Sequence, residues 1–150
     1  MDWLIPLIML FDQIIKKITQ EYLSGKTINI LGDFLSLTYV KNTGIAFGMF
    51  QGYSFLHGII STIVVTIIWV FRKNYLSKEN SILFDLSTVF IIGGALGNIY
   101  DRIRFNYVVD TFSVKYFSVF NVADSFVTIG GILLAIYYYK RSKYPWKKVF

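Results

Sequence analysis

Five aspartates, Asp12, Asp85, Asp101, Asp110 and Asp124, fall within or beside long apolar stretches of the chain. An ionisable group in such surroundings is costly, so it marks either a functional site or a paired structural one. Two of the five stand out. Asp110 closes Tyr107-Val108-Val109-Asp110, with apolar neighbours and no adjacent basic residue, and Asp124 follows Phe120-Asn121-Val122-Ala123 at the head of an uncharged run. They lie far enough apart in sequence that only the fold can bring them together. Two carboxylates held close cannot both ionise cheaply, so one pKa rises and the pair shares a proton at neutral pH. That state suits amide hydrolysis: the ionised member takes a proton from water while the protonated member polarises the scissile carbonyl. The plain alternative for Asp124 is a helix N-cap, since a carboxylate satisfies the free N–H groups of a first turn.

Other chemistries have little to build on. The chain has no cysteine and one histidine, His57. Thiolate sites, disulfides, a serine-histidine triad and a multi-histidine metal site are therefore not expected. His57 itself reads as a packed polar residue.

The elements that must position the aspartates are membrane spans. The chain is 55% hydrophobic and only 16% charged over 150 residues, more apolar surface than a soluble domain of this size can hide. Four apolar stretches, 3–19, 53–71, 82–100 and 120–139, approach the ~20 residues needed to cross a bilayer. They nearly exhaust the chain, which predicts one domain over 1–150. The first is interrupted by Asp12, Gln13, Lys16 and Lys17, but a signal peptide carries its positive charge before its apolar core, so a retained helix is expected.

The net charge of +6 is gathered in short segments between apolar runs, which fits membrane topology and not a nucleic-acid-binding face. Basic residues are dense at Arg72, Lys73 and Lys78 and again at Lys140, Arg141, Lys143, Lys147 and Lys148. The positive-inside tendency then puts both termini in the cytoplasm and segments 20–52 and 101–123 outside. Trp3, Trp69, Trp146 and Tyr137, Tyr138 and Tyr139 fall near span ends as headgroup anchors. Leu35, Leu37 and Tyr39 alternate with Ser36 and Thr38, so a small extracytoplasmic β-sheet, built largely from the first outer connection, is expected. Asp85 matches no motif and is expected to be solvated near the cytoplasmic interface.

Five motifs occur in order: Asp12-Gln13-Ile14-Ile15-Lys16; Asn42-Thr43-Gly44-Ile45-Ala46-Phe47-Gly48; Gly93-Gly94-Ala95-Leu96-Gly97-Asn98-Ile99-Tyr100-Asp101-Arg102; Val108-Val109-Asp110; and Phe120-Asn121-Val122-Ala123-Asp124-Ser125. Together they make the chain resemble the lipoprotein signal peptidase (signal peptidase II) family over nearly its whole length. The resemblance implies an all-α membrane aspartic endopeptidase in the bacterial inner membrane, with catalytic Asp110 and Asp124 near the outer face. It implies Asn42, Gly44, Asn98, Arg102, Asn121 and Ala123 as the substrate-binding set and Asp12, Lys16 and Asp101 as supporting residues. The Asn amides can donate to a substrate carbonyl and accept from its N–H without adding charge. Arg102 offers an always-charged fork that could hold the substrate backbone.

The implied substrate is a preprotein whose future N-terminal cysteine carries a diacylglyceryl group, cut on the amino side of that cysteine. The implied enzyme is a monomer among membrane lipids that needs no metal or organic cofactor and is blocked by globomycin-type inhibitors. Asp12 and Lys16, four apart on one helical face, form a local ion pair in the simplest view. Asp101 either orients its neighbour Arg102 or caps the helix end. Gly93, Gly94 and Gly97 suit close helix packing in lipid. Asn106 stands where the family usually has Gly, and Asn is the next most tolerant of a left-handed backbone. Thr111 replaces a more usual Phe. The rival is a small four-span proton- or ion-conducting or accessory protein with Asp110 and Asp124 as relay carboxylates. It leaves the polar set at the outer ends of the spans without a purpose.

Overall fold

The computed structural model describes residues 1–45, 49–76 and 81–143. Ala46, Phe47 and Gly48 of the second motif, and Lys78, Trp146, Lys147 and Lys148 among the expected anchors and charges, lie outside the described residues. The described residues form four helices: α1 (Leu4–Tyr22), α2 (Ser54–Leu76), α3 (Ile82–Phe105) and α4 (Val122–Lys143). Most run several residues past the bounds expected from composition. The expected bounds stopped where charges begin, but Arg72, Asp101 and Lys140 all continue their helices.

Among the described residues, three helices are long and apolar enough to cross a membrane: Ser54–Tyr75, Ile82–Phe105 and Val122–Lys143. α1 is broken by charge, yet its inward residues Ile5, Ile8, Asp12, Lys16 and Thr19 recur every three or four positions as one buried stripe. Its outward side is apolar at Leu7, Leu10, Phe11, Ile14 and Ile18 and polar at Lys17, Gln20 and Glu21 in its last turns.

α3 is the central helix and packs on each of the other three. Ile5, Ile8, Val65, Val89, Ile92 and Ile99 form the core around it. Glycines allow the close approaches. A Cβ at Gly93 would meet Ile8 at 3.0 Å, and one at Gly97 would overlap the Asp12 carboxylate. α3 starts at Ser81, whose Oγ accepts from the Phe84 N–H at 3.3 Å. It ends at Asn106, in the left-handed region at φ 62°, as its tolerance suggested. The Asn106 Oδ1 then accepts from the Phe55 N–H at 3.1 Å, tying the end of α3 to the start of α2.

At one end of the bundle the connections form a four-stranded antiparallel sheet in the order β1 (Thr27–Leu31), β2 (Leu35–Asn42), β3 (Val108–Val114), β4 (Val119–Phe120). The first connection supplies β1 and β2, and the second supplies β3 and β4, so the sheet is shared between them. Leu37 pairs with Phe112 and Val40 with Asp110, which leaves Thr38 and Tyr39 opposite Thr111 alone. This bulge shifts the register by one residue, and a one-residue shift exchanges the two faces of a strand. It puts Asn42, two positions beyond Val40, on the same face as Asp110.

At the opposite end the structure corrects two expectations. Asp85 is not solvated: the buried Arg72 guanidinium binds both it and Asp2, the latter at 2.6 Å. Lys73 and, after it, Arg72 hold the Asp2 carboxyl down at about 2 through their hydrogen bonds. Tyr137 is not a headgroup anchor. It packs against Phe84, and its hydroxyl lies 2.7 Å from that of Tyr75. Trp3, Tyr138 and Tyr139 are exposed, as anchors should be.

Candidate active site

Asn121 brings the two aspartates together. It is fully buried at the junction of β4 and α4, where it acts as the N-cap of α4. Its Oδ1 accepts from the Asp124 N–H at 2.9 Å, and its own N–H donates to Asp124 Oδ2 at 3.2 Å. This is a reciprocal capping arrangement with Asp124 in the third helical position, so Asp124 is the cap's partner and not the cap. The Asn121 Nδ2 reaches the other way, donating to Asp110 Oδ1 at 2.9 Å. Both carboxylates thus bond to one residue.

The remaining carboxylate oxygens meet amide donors from two further elements. Asn42, aimed by the bulge, donates from Nδ2 to Asp110 Oδ2 at 2.9 Å. Asn98 on α3 donates from Nδ2 to Asp124 Oδ1 at 2.8 Å, and its Oδ1 accepts from Asn121 Nδ2 at 3.1 Å. The Asn42 Oδ1 accepts from the Gly44 N–H at 2.9 Å, and the Gly44 carbonyl accepts from Arg102 Nη2 at 3.3 Å. Among the described residues, the donors to Asp110 and Asp124 are all uncharged.

Burial is the main reason that the Asp110 carboxyl is pushed up to about 7, and the negative charge of Asp124 pushes the same way. The hydrogen bonds from Asn42 and Asn121 and the more distant charge of Lys16 oppose this without cancelling it. Asp110 therefore holds a proton near neutrality while Asp124, more open, faces the same space.

That space is a cavity of about 500 Å³ lined by the polar Asn42, Asn98, Arg102, Asp110 and Asp124, by the hydroxyl residues Ser118, Ser125 and Thr128, and by Ile45, Val108, Phe117, Val119, Phe120, Val127 and Ile129. It is an apolar trough with a carboxylate pair and amides at one place. Asn121 and Ala123 are buried behind this surface: Asn121 supports the aspartates, and the Ala123 N–H donates to Asp12 Oδ1 at 2.9 Å. His57 does not line the cavity.

The supporting residues form one buried cluster. The Lys16 ammonium lies 2.7 Å from Asp12 Oδ2 and 2.8 Å from Asp101 Oδ2, and donates to Asn98 Oδ1 at 2.9 Å. Asp101 thus turns toward α1. It neither orients Arg102 nor ends a helix that continues to Phe105, because the buried cation on α1 is its partner. Gln13 also donates to Asp101, at 3.0 Å. A link missing from the sequence view is Thr19 to Thr111, whose hydroxyls lie 2.9 Å apart. It anchors β3 to α1 beside Asp110, and Thr19 continuing the Asp12 and Lys16 stripe was the available signal.

An apolar helix bundle with a desolvated polar cavity at one end is the architecture of a membrane-embedded enzyme. Two solved bacterial membrane enzymes, both determined by the in meso method, are similar in fold: one has a TM-score of 0.81 at 29% identity, covering 94% of this chain and 88% of that one. The other has a TM-score of 0.74 at 29% identity, covering 90% of each. The family model for signal peptidase (SPase) II matches residues 4–140. The chain belongs to the signal peptidase II family of proteases. It is similar to the lipoprotein signal peptidase of Halothermothrix orenii, 41% identical over 91% of this chain and 93% of that one. It is similar also to that of Clostridium tetani, 35% identical over 98% and 97%.

Proposed function

We propose that this protein is a membrane aspartic endopeptidase that removes signal peptides from diacylglyceryl-modified prolipoproteins, cutting on the amino side of the lipidated cysteine. The observation that carries the catalytic assignment is Asn121 bonding to both Asp110 and Asp124 at the edge of the cavity. Asp124 accepts a proton from water as the water oxygen attacks the scissile carbonyl carbon, and Asp110 gives its proton to the carbonyl oxygen. The resulting gem-diol collapses as Asp124 passes its proton to the departing nitrogen, a hydroxyl proton returns to Asp110 and the C–N bond breaks. A free carboxylic acid and a free amine result, and the pair returns to its one-proton state. Asn42, Asn98 and Arg102 hold the substrate backbone across the trough, with Gly44 giving Asn42 and Arg102 a shared support. Asn121 and Ala123 act from behind by fixing the start of α4.

α1 serves as a fourth span of the single domain. Its 19 residues reach about 28 Å, its charges at Asp12 and Lys16 turn inward onto α3, and its outward charges Lys17 and Glu21 fall in its last turns, nearest the sheet, past the apolar Leu7, Leu10, Phe11 and Ile14. Arg72, Lys73, Lys140, Arg141 and Lys143 gather at the end away from the sheet, which supports cytoplasmic termini and an extracytoplasmic site. The protein acts as a monomer in the inner membrane, in contact with its lipids, and globomycin-type inhibitors block the dyad. Family membership disfavours the conducting or accessory alternative.

The apolar trough gives the substrate's lipid and signal helix their hold, so lipidation should raise kcat/KM by about 100-fold or more. Purified protein incubated with a lipid-modified preprotein and its unlipidated twin tests this. Equal rates on the two would refute it.

The rise in the Asp110 pKa sets the pH response. An acid raised by folding contributes its stability below the ordinary carboxylate pKa and loses it as the pH climbs to about 7. The proton needed to polarise the carbonyl leaves over the same range. Turnover should therefore fall as pH rises through about 7, and a profile flat from pH 6 to 9 on intact protein would contradict it.

A further inference from the structure

We propose that Lys16 is a positioning residue for the reaction: it fixes the Asn98 amide so that its nitrogen, and not its oxygen, faces Asp124. This rests on Asp110 and Asp124 being the catalytic pair. Lys16 is 4% exposed and touches neither aspartate; it donates to Asn98 Oδ1 at 2.9 Å. The same oxygen accepts from Asn121 at 3.1 Å. With two donors on its oxygen, the Asn98 amide has one orientation left, and Nδ2 donates to Asp124 Oδ1 at 2.8 Å. A flipped amide would set its oxygen against a carboxylate and its NH₂ against an ammonium, both repulsive.

The placement of Lys16 is itself over-determined. Asp12 and Asp101 hold the ammonium from α1 and α3, and the other Asp12 oxygen takes the Ala123 N–H beside Asp124 in sequence. One buried cation therefore sets a partner of Asp124 on α3 and, through Asp12, the start of the helix that carries Asp124. A lysine whose only task was to neutralise Asp12 and Asp101 would have no need to spend its remaining donor on a residue of the cavity wall.

The test is a double-variant cycle on cleavage of a lipid-modified preprotein, with Lys16→Met, Asn98→Ala and their combination. Lys16→Met should lower kcat by about 10–100-fold, the range for groups that orient an active-site ligand, with KM within about 2-fold. In the Asn98→Ala background the same change should cost no more than about 2-fold further, because the residue through which Lys16 acts is gone. Losses that multiply, or a loss carried by KM, overturn the proposal.

Asp110→Asn and Asp124→Asn in the same assay separate the two claims. If they remain active, the dyad assignment fails and this proposal with it; if they are dead while the losses multiply, only the role of Lys16 fails. Lys16→Met strands two carboxylates, so Lys16→Met with Asp101→Asn, which keeps the local formal charge, repeats the cycle. If neither variant folds, Lys16 is a stability residue and the proposal falls.

Discussion

Asp110→Asn and Asp124→Asn each lower turnover of a lipid-modified preprotein by about 1,000-fold or more, with the protein still folded. Asn has nearly the shape of Asp, so the local framework survives. In Asp124→Asn the side-chain oxygen still accepts from the Asn121 N–H, and α4 keeps its cap. In Asp110→Asn the side-chain oxygen still accepts from Asn121 or Asn42. What each variant lacks is a proton function. In the proposed mechanism the pair without Asp124 lacks the member that takes a proton from the attacking water, and without Asp110 it lacks the member that gives one to the carbonyl oxygen. Product formation under single-turnover conditions, with thermal unfolding as the control, checks this. A variant that folds and cuts at the parental rate removes its residue from the dyad.

Gly97→Ala is expected to destabilise the bundle by about 3 kcal/mol, or about 10 °C in Tm, a large effect for one methyl group. The added Cβ would overlap the Asp12 carboxylate, which is fully buried and pairs with Lys16 at 2.7 Å. Either α1 moves away from α3 or the carboxylate leaves its cation, and a buried pair that loses its geometry keeps the desolvation cost of both charges. Gly131→Ala is the matched control on α4, where a Cβ meets nothing within 4 Å. Its midpoint should stay or rise slightly, since Ala favours helix over Gly. Equal shifts in the two variants, followed by thermal unfolding in one detergent, would contradict close packing at Gly97.

Much of this was legible in the residues, for identifiable reasons. Helix length and the apolar runs gave α2, α3 and α4, and the glycines of the third motif were expected at close helix contacts, which Gly93 and Gly97 make with α1 and Gly94 with α4. Asn106 in a left-handed turn followed from its standing where the family usually has Gly, together with its backbone tolerance. Asp110, Asp124, Asn42, Asn98 and Arg102 were picked out in the sequence, and all five line one cavity.

What was not legible depended on contacts between distant segments. Charges looked like helix ends at Arg72 and Asp101, but buried partners elsewhere in the fold let the helices run through them. Asp85 looked solvated because Arg72 is on another helix, and Tyr137 looked like its two neighbours although only it turns inward. The bulge opposite Thr111 leaves no mark in local alternation, yet it decides that Asn42 and not Lys41 meets Asp110. The second connection's strands were missed because β4 has only two residues and β3 has a polar interior at Asp110 and Thr111. Asn121 was expected to face substrate, whereas its buried side chain joins the aspartates from behind.

The central claim is that Asp110 and Asp124 act on one carbonyl carbon from a shared position. It is tested most directly by the structure of the protein bound to a lipid-modified peptide whose scissile carbonyl is replaced by a hydroxyl-bearing carbon. A hydroxyl oxygen within about 2.6–3.2 Å of a carboxylate oxygen of both Asp110 and Asp124 is the predicted result. A hydroxyl bonded to only one of them, or seated elsewhere in the cavity, would contradict it.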